Sequence, residues 1–367
     1  MIDPRVSQLA KIIINYSTRV KKGDTVVINA SGTESIPLIK ELHKLSLQKG
    51  ARYVEYEISV PEISRDFYNI ATLKQASYFP QHKFDLIKKA TVYIGIAAAD
   101  NSMELANAKQ ENMIRYIKTM KPIQEERVKH TRWLVTRFPT HSAAQDAKMS
   151  LEEFEQFLFS ACNINWQGEA RKQEELKRIM EKTKDVKLLS SDTSLTFSIK
   201  GMPAIKCCGR QNLPDGEVFT APIKDSIDGH ITFNCPTIYQ GKEYTSIKLK
   251  FKHGKISNAT SPGKDKELNK VLDTDGGARY VGEFSFGVNP RIQFPMRNIL
   301  FDEKIFGSIH MAVGNCYDEC NNGNTSAIHW DMVKLLKGDG KIFFDGKLIQ
   351  KDGRFVHPRL TSLNPKS

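Results

Sequence analysis

The sequence predicts an α/β protein with two domains: an N-terminal α/β domain with a mostly parallel sheet, followed by a β-rich α+β C-terminal domain. Up to about residue 185, short apolar runs of strand character alternate with segments whose apolar residues recur at helical spacing. From Val186 onward the pattern changes to short strands joined by Asp-Gly turns. A chain of 367 residues is also long for a single simple core. We therefore expect one domain over residues 1–185 and a second over residues 186–367.

Helices and strands are predicted to alternate along the first half. The predicted elements are a helix over 4–16, a strand over 24–29, a helix over 36–48, strands over 53–59, 91–96 and 132–136, a helix that begins at Ser150, and a charged helix over 168–184. Gly50 is placed to end the second helix, and Ser150 with Glu153 forms a capping box. Strands that alternate with helices favour a parallel sheet covered on both faces. No G-x-G-x-x-G or G-x-x-x-x-G-K-[ST] motif follows the first strand, so we expect no nucleotide cofactor in this half.

The most informative segment of the second half runs from Ser326 to Met332 and carries His329 and Asp331 within an apolar stretch. In a β-strand, residues i and i+2 lie on the same face, so these two side chains are expected to project together. An earlier segment, residues 308–314, repeats the arrangement, with His310 on the same side as the small Ala312. An ordinary solvated sheet face explains either segment alone at least as well as a metal site does.

Two glutamates on further strand-like segments favour a metal site over a solvated sheet face. Glu217 follows a Pro-Asp-Gly turn, and Glu283 alternates with Phe284 and Phe286, which we expect to be buried. Four short segments thus each offer one or two carboxylates or imidazoles from the polar face of an apolar strand. These are the side chains that bind divalent metal ions in proteins. The sequence therefore predicts a metal-binding site in the C-terminal domain.

Taken together, the four segments resemble the aminopeptidase T family, the thermophilic-type leucyl aminopeptidases of the M29 metallopeptidase class. The segments are residues 212–222, 282–283, 309–317 and 326–332, and their order and spacing fit this family over the whole chain. The resemblance implies a two-metal site with six ligands, namely Glu217, Glu283, His310, Tyr317, His329 and Asp331. It also implies a homodimer.

Three carboxylates, two imidazoles and a phenol exceed the usual three or four protein ligands of one catalytic ion. The set suits two divalent ions, zinc, cobalt or manganese, about 3.5–4 Å apart with an activated water between them. The implied activity is the removal of neutral or hydrophobic N-terminal residues from peptides with a free N-terminus. Glu217, Glu283 and Tyr317 are the candidate catalytic groups: either glutamate could be the general base, and Tyr317 is either a ligand or a hydrogen-bond donor beside the site.

Two other functions remain open. Relatives of this fold include mononuclear iron dioxygenases that cleave the rings of dihydroxypyridines, and such enzymes need fewer protein ligands with open positions for oxygen and substrate. A non-catalytic, metal-stabilised binding protein is the other alternative. The number of metal ions per chain separates these possibilities, because two zinc, cobalt or manganese ions favour hydrolysis and one iron favours oxygenation.

Composition and charge argue against several other classes of protein, namely nucleic-acid-binding, membrane and disulfide-rich proteins. The formal net charge of +12 is spread along the chain and mixed with acidic residues, and no nucleic-acid-binding signature stands out, so we expect no nucleic-acid partner. No apolar run reaches the roughly 18–20 residues of a membrane span, and the N-terminus has no apolar signal-peptide core. Six cysteines are too sparse for a disulfide framework. We therefore expect a cytoplasmic protein without a membrane partner.

Overall fold

The chain passes three times between two structural units in the computed structural model, which describes residues 2–366. The first unit runs up to Ile164 and also contains Gly209–Pro214. The second contains Asn165–Cys208 and the chain from Asp215 onward. The charged helix predicted over 168–184 groups with the second unit, because its Leu176 and Met180 are buried in that unit's core.

The first unit is an α/β sandwich built on a parallel sheet. Its elements are α1 (Pro4–Ile12), which continues as a π-helical turn (Ile13–Ser17), β1 (Thr25–Ser31), α2 (Ile36–Gln48), β2 (Tyr53–Ser59), α3 (Pro61–Ile70), α4 (Leu73–Ala76), α5 (Gln81–Lys89), β3 (Val92–Ala97), α6 (Gln110–His130), β4 (Arg132–Arg137), α7 (His141–Asp146), α8 (Leu151–Cys162) and, later in the chain, β8 (Asn212–Leu213). The strand order is β2-β1-β3-β4-β8, and every pair is parallel.

Local sequence signals account for where these elements begin and end. The hydroxyl of Ser150 accepts a hydrogen bond from the backbone N–H of Glu153, whose carboxylate accepts one from the N–H of Ser150, so the predicted capping box starts α8. Gly50 follows α2 with a φ of +80°, a conformation that glycine adopts without steric cost. The strands carry buried apolar residues such as Ile28, Ile94 and Leu134. These features confirm the predicted parallel α/β half.

The second unit is β-rich. Its elements are α9 (Trp166–Lys182), β5 (Asp185–Ser190), β6 (Thr193–Ser198), β7 (Ile205–Cys207), β9 (Glu217–Thr220), β10 (Asp228–Phe233), β11 (Thr237–Tyr239), β12 (Lys242–Tyr244), β13 (Ile247–Lys252), β14 (Lys255–Thr260), α10 (Asp265–Leu272), β15 (Val281–Gly287), α11 (Ile299–Asp302), β16 (Ser308–Gly314), β17 (His329–Leu335), β18 (Lys341–Phe344), β19 (Lys347–Lys351) and β20 (Arg354–Phe355).

Two large sheets enclose the core of this unit. One has the order β14-β13-β10-β6-β5-β18-β19-β20, the other β17-β16-β15-β9-β7, and β11 pairs with β12 in a separate ribbon. Aromatic residues from both sheets meet between them: the ring centroids of Phe197 and Phe284 are 4.9 Å apart, and those of Phe286 and Phe344 are 5.9 Å apart. The predicted burial of Phe284 and Phe286 is confirmed, since both are fully buried. A β-rich C-terminal region thus follows the α/β region, as the sequence predicted.

Two further facts bear on the chain's chemistry. All six cysteines lie within the described residues, and none of them forms a disulfide bond there. In residues 2–366, no helix has the length and apolar character needed to cross a bilayer.

Candidate metal centre

The five-stranded sheet of the second unit carries the predicted site on one face. Across β15, β16 and β17, Glu283 lies opposite Ala312, and Ala312 lies opposite Asp331. In the next rows Ser285 pairs with His310, and His329 pairs with Gly314. Because side chains alternate along a strand, this register places all the polar residues on the same face. The small residues at 312 and 314 leave space between the ligand-type side chains.

Glu217, Glu283 and His310 form the buried half of the site. The Nε2 atom of His310 lies 3.2 Å from Glu217 Oε2 and 3.3 Å from Glu283 Oε1. All three residues are at least nine-tenths buried. Ligand atoms from these three lie within 4.8 Å of one another, a spacing at which they can share one metal ion.

Glu283, His329 and Asp331 form the second half, which is more open to solvent. His329 Nε2 lies 3.4 Å from Glu283 Oε2 and 3.5 Å from Asp331 Oδ1. The other ring nitrogen, Nδ1, lies 2.8 Å from the carbonyl oxygen of Asn315. A hydrogen bond from Nδ1–H to this carbonyl leaves Nε2 as the atom that faces the carboxylates, the arrangement usual for metal-binding histidines. Glu283 therefore contributes one oxygen to each half.

The charged side chains of the site compensate one another strongly. Burial alone would raise the pKa of Glu217, but Lys304 and His310 outweigh it, and the pKa falls well below its usual value. Burial would likewise lower the pKa of His329, but Asp331 and Glu283 raise it to about 11. The pKa of His310 is raised for the same reason by Glu217 and Glu283. A metal ion must compete with these protons, so its affinity should rise with pH.

Several polar atoms in the site make no hydrogen bond. Among the described residues, His310 Nδ1, His329 Nε2 and Asp331 Oδ1 are buried without a hydrogen bond. Two ligands about 2.0–2.2 Å from one tetrahedral ion are themselves about 3.3–3.5 Å apart, which is close to the nitrogen–oxygen distances around His310 and His329. A donor set of carboxylates and imidazoles is also the type that zinc, cobalt and manganese accept. The residues present therefore fit a divalent metal centre.

Tyr317, the remaining residue of the predicted set, lies at the open end. Its ring centroid is 4.8 Å from that of His329 and 5.4 Å from that of Phe219. Burial and the neighbouring negative charges of Glu283 and Asp331 raise the pKa of its phenol well above 10 in the metal-free protein. The structure thus brings all six predicted residues into one region, with Tyr317 at its edge.

Sequence reasoning missed two residues of this site, Glu303 and Lys304. One ligand atom of Glu303 lies within 4.8 Å of one from His310 and one from Asp331. Burial and the charges of Glu217 and Asp331 raise the pKa of Glu303 to about 8, although Lys304 opposes them. Both residues follow the short helix α11, outside the segments whose resemblance to the family implied the six candidate ligands. The acidic Asp302-Glu303 pair just before the His310 strand was the available signal.

Comparison with known proteins agrees with these motifs. A family model described as thermophilic metalloprotease (M29) matches residues 2–355. Aminopeptidase AmpS of Bacillus subtilis is 24% identical over 370 residues, covering 90% of this chain and 88% of the relative. Aminopeptidase T of Thermus thermophilus is 32% identical over 166 residues, 40% of each chain.

Among solved structures, wild-type AmpT from Thermus thermophilus matches with a TM-score of 0.84 at 20% identity. The match covers 96% of this chain and 99% of that chain, and at this identity it supports the fold alone. It confirms the predicted fold class, and the family match confirms the resemblance on which the six ligands were named. Because the M29 model covers residues 2–355, the chain belongs to the M29 family of thermophilic metalloproteases and is a hydrolase.

Proposed function

We propose that this protein is an aminopeptidase that removes neutral or hydrophobic N-terminal residues from peptides, using two divalent metal ions. The observation that carries the proposal is the position of Glu283 between two ligand groups. Its Oε1 lies 3.3 Å from His310 Nε2 and its Oε2 lies 3.4 Å from His329 Nε2. A carboxylate that offers one oxygen to each of two groups is the usual bridge of a two-metal hydrolase.

The proposed ligands divide between two ions. Glu217 and His310 would hold one ion, His329 and Asp331 would hold the other, and Glu283 would offer one oxygen to each. Tyr317 is proposed as a ligand through its phenol oxygen, which must lose its proton when it binds.

Bound zinc, cobalt or manganese ions would polarise the scissile carbonyl, acidify a water molecule and attract the free amine of the substrate. The chain's own residues determine which group accepts the proton that the water molecule loses. Glu217 is a weak proton acceptor because its pKa is lowered, mainly by Lys304 against the effect of burial. One ligand atom of Glu303 lies within 4.8 Å of one from His310 and one from Asp331, close enough to take a proton from a water molecule at the site, so we propose Glu303 as the general base.

Aromatic residues beside the ligands support a preference for apolar substrates. Tyr317 is 43% exposed, and it packs against Phe219 on one side and His329 on the other. An exposed aromatic ring next to a metal site can contact the apolar side chain at the substrate's N-terminus. The relatives AmpS and aminopeptidase T carry the name aminopeptidase, which supports the same activity.

The test uses the full chain and aminoacyl anilides. Treatment with a chelator should abolish hydrolysis of leucyl anilide, and zinc, cobalt or manganese should restore it with two ions bound per chain. An N-acetylated substrate should remain uncut, because it lacks the free amine. Full activity of a verified metal-free protein, or internal cleavage of blocked peptides at a comparable rate, would contradict the proposal.

We also propose a homodimer, on the family resemblance alone. Size-exclusion chromatography with light scattering should give twice the mass of one chain. A fully active monomer would contradict this.

A further inference from the structure

Lys304 is a fully buried lysine outside the predicted ligand set. Its side chain is 1% exposed, and its ammonium lies 2.6 Å from Glu217 Oε1 and 4.0 Å from Asp215 Oδ1. It also donates a hydrogen bond to Glu303 Oε1. Burying an ammonium group is costly unless anions surround it, and these three carboxylates supply that compensation.

The carboxylates on this side of Glu217 belong to a second group with metal-ligand spacing. Cys207, Asp215 and Glu217 each offer one ligand atom, and these atoms lie within 4.8 Å of one another. Cys207 on β7 is paired directly with Glu217 on β9. A thiol with two carboxylates would suit a divalent ion, in particular a thiophilic one. The Lys304 ammonium lies against two of the three members.

A rigid frame holds Lys304 in this position. The backbone N–H of Asn289 donates to the carbonyl of Lys304 at 3.1 Å, and the Asn289 side chain donates to the carbonyl of Asp215 at 2.7 Å. Gly216 has a φ of +121°, and a Cβ there would come within 2.8 Å of Asn289. Three chain segments are thus held together, and the backbone of Lys304 is fixed beside the carboxylates that its ammonium contacts.

The two oxygens of Glu217 therefore have different partners. Oε1 is engaged by Lys304, while Oε2 lies 3.2 Å from His310 Nε2 and 3.4 Å from Ser285 Oγ. Only Oε2 is directed to the side where His310 and Glu283 meet. A carboxylate held by one oxygen can bind a metal with the other in a fixed orientation.

We propose that Lys304 is a positioning residue that acts as a tethered cation beside the metal centre. It orients Glu217 through one oxygen and keeps a metal ion out of the cluster of Cys207, Asp215 and Glu217. Metal loading is thereby confined to the groups that contain Glu283. This inference rests on the proposed two-metal function, but its main test is metal binding by the metal-free protein.

The test is titration of chelated protein with cadmium, followed by the ultraviolet charge-transfer absorption of a cadmium thiolate. A metal ion deprotonates a thiol that it binds, so the neutral Cys207 thiol can respond. Wild-type protein should bind cadmium without a signal from Cys207. Lys304→Met, which keeps the chain length but removes the charge, should bind one more ion per chain and show the band. The Lys304→Met/Cys207→Ser double variant should lose the band.

Lys334→Met is the matched control. Lys334 is also a buried lysine, with a side chain 2% exposed and its ammonium 2.7 Å from Asp192 Oδ1. It alternates with Asp331 and Val333 along β17 and therefore lies on the face opposite to His329 and Asp331. Removing its charge should leave the cadmium stoichiometry and the absorption unchanged.

Turnover supplies a second measurement. With zinc or manganese, Lys304→Met should lower kcat by about 10–100-fold while KM changes less, since Glu217 loses its orientation. Lys304→Gln keeps a hydrogen-bond donor without the charge, so it should gain the cadmium band but retain more of kcat. It also replaces Lys304→Met if that variant fails to fold.

Wild-type cadmium stoichiometry without a thiolate band in both folded Lys304 variants would overturn the inference. A wild-type protein that binds fewer than two ions or lacks aminopeptidase activity would contradict the proposed function instead. The two failures are therefore distinguishable.

Discussion

The two faces of the sheet formed by β15, β16 and β17 differ in the polarity of their side chains and in their hydrogen bonding. One face lies in the core and is apolar apart from the buried Lys334, with the side chains Phe284, Phe286, Met311, Trp330 and Met332 all buried. The other carries Glu283, Ser285, His310, His329 and Asp331, some of whose buried atoms lack hydrogen-bond partners. The apolar face holds the strands in register, and the register then places the polar side chains.

This division means that stability and chemistry can be altered separately. Neighbouring residues on one strand, such as Glu283 and Phe284, point to opposite faces because side chains alternate. A buried phenylalanine contributes by packing, whereas a buried carboxylate costs free energy until a cation compensates it. The packing of the apolar face of the sheet therefore supplies the stability that the polar face, with its buried charges, requires.

The largest effect is expected on activity, from a substitution on the polar face. Glu283→Gln keeps the size of the side chain but removes the charge shared by the two ligand groups, so peptide hydrolysis should fall by at least about 10³-fold. Metal analysis should show loss of one or both ions, and circular dichroism should show a folded protein. Unchanged metal content and rate would remove Glu283 from the site.

The second effect is expected on stability, from a substitution on the apolar face. Phe284→Ala should destabilise the protein by about 3–5 kcal/mol because it leaves a cavity between the two sheets. Denaturant unfolding of the metal-free protein measures this directly. Ser285→Ala, at the adjacent residue on the polar face, removes only a hydroxyl group; it is the control and should change the free energy of unfolding much less. An equal loss in both variants would mean that the two faces are not separable.

A third expected effect is a pH dependence of the stability of the metal-free protein. The pKa of His329 is raised from its ordinary 6.5 to about 11, despite burial, by Asp331 and Glu283. The folded state therefore binds this proton more tightly than the unfolded state. The resulting stability is fully present below pH 6.5 and is lost as pH rises toward 11.

Thermal unfolding of chelated protein between pH 6.5 and 10 checks this, with His329→Gln expected to show a shallower decline. His230→Gln, at an exposed position of β10, is the control and should follow the wild type. A wild-type midpoint that stays constant over this range would contradict the raised pKa.

Much of the candidate site could be predicted because most of its residues lie on strands with regular alternation. His329 and Asp331, two residues apart, had to share a face, and the alternating apolar residues Ile328, Trp330 and Met332 fixed which face was buried. Glu303 and Lys304 follow no such pattern. They come after α11, in a segment held by Asp302, whose carboxylate accepts hydrogen bonds from the N–H groups of Met296 and Asn298.

The sequence by itself determined the family, the parallel and β-rich halves, and the residue types of the candidate metal site. Periodicity and residue type are local properties, so they can be read without a structure. Only the tertiary structure decided that Lys304 lies between Glu217 and Glu303, and that Glu283 lies between two ligand groups. These relations join segments tens of residues apart, and the energies of buried charges depend on which of them meet.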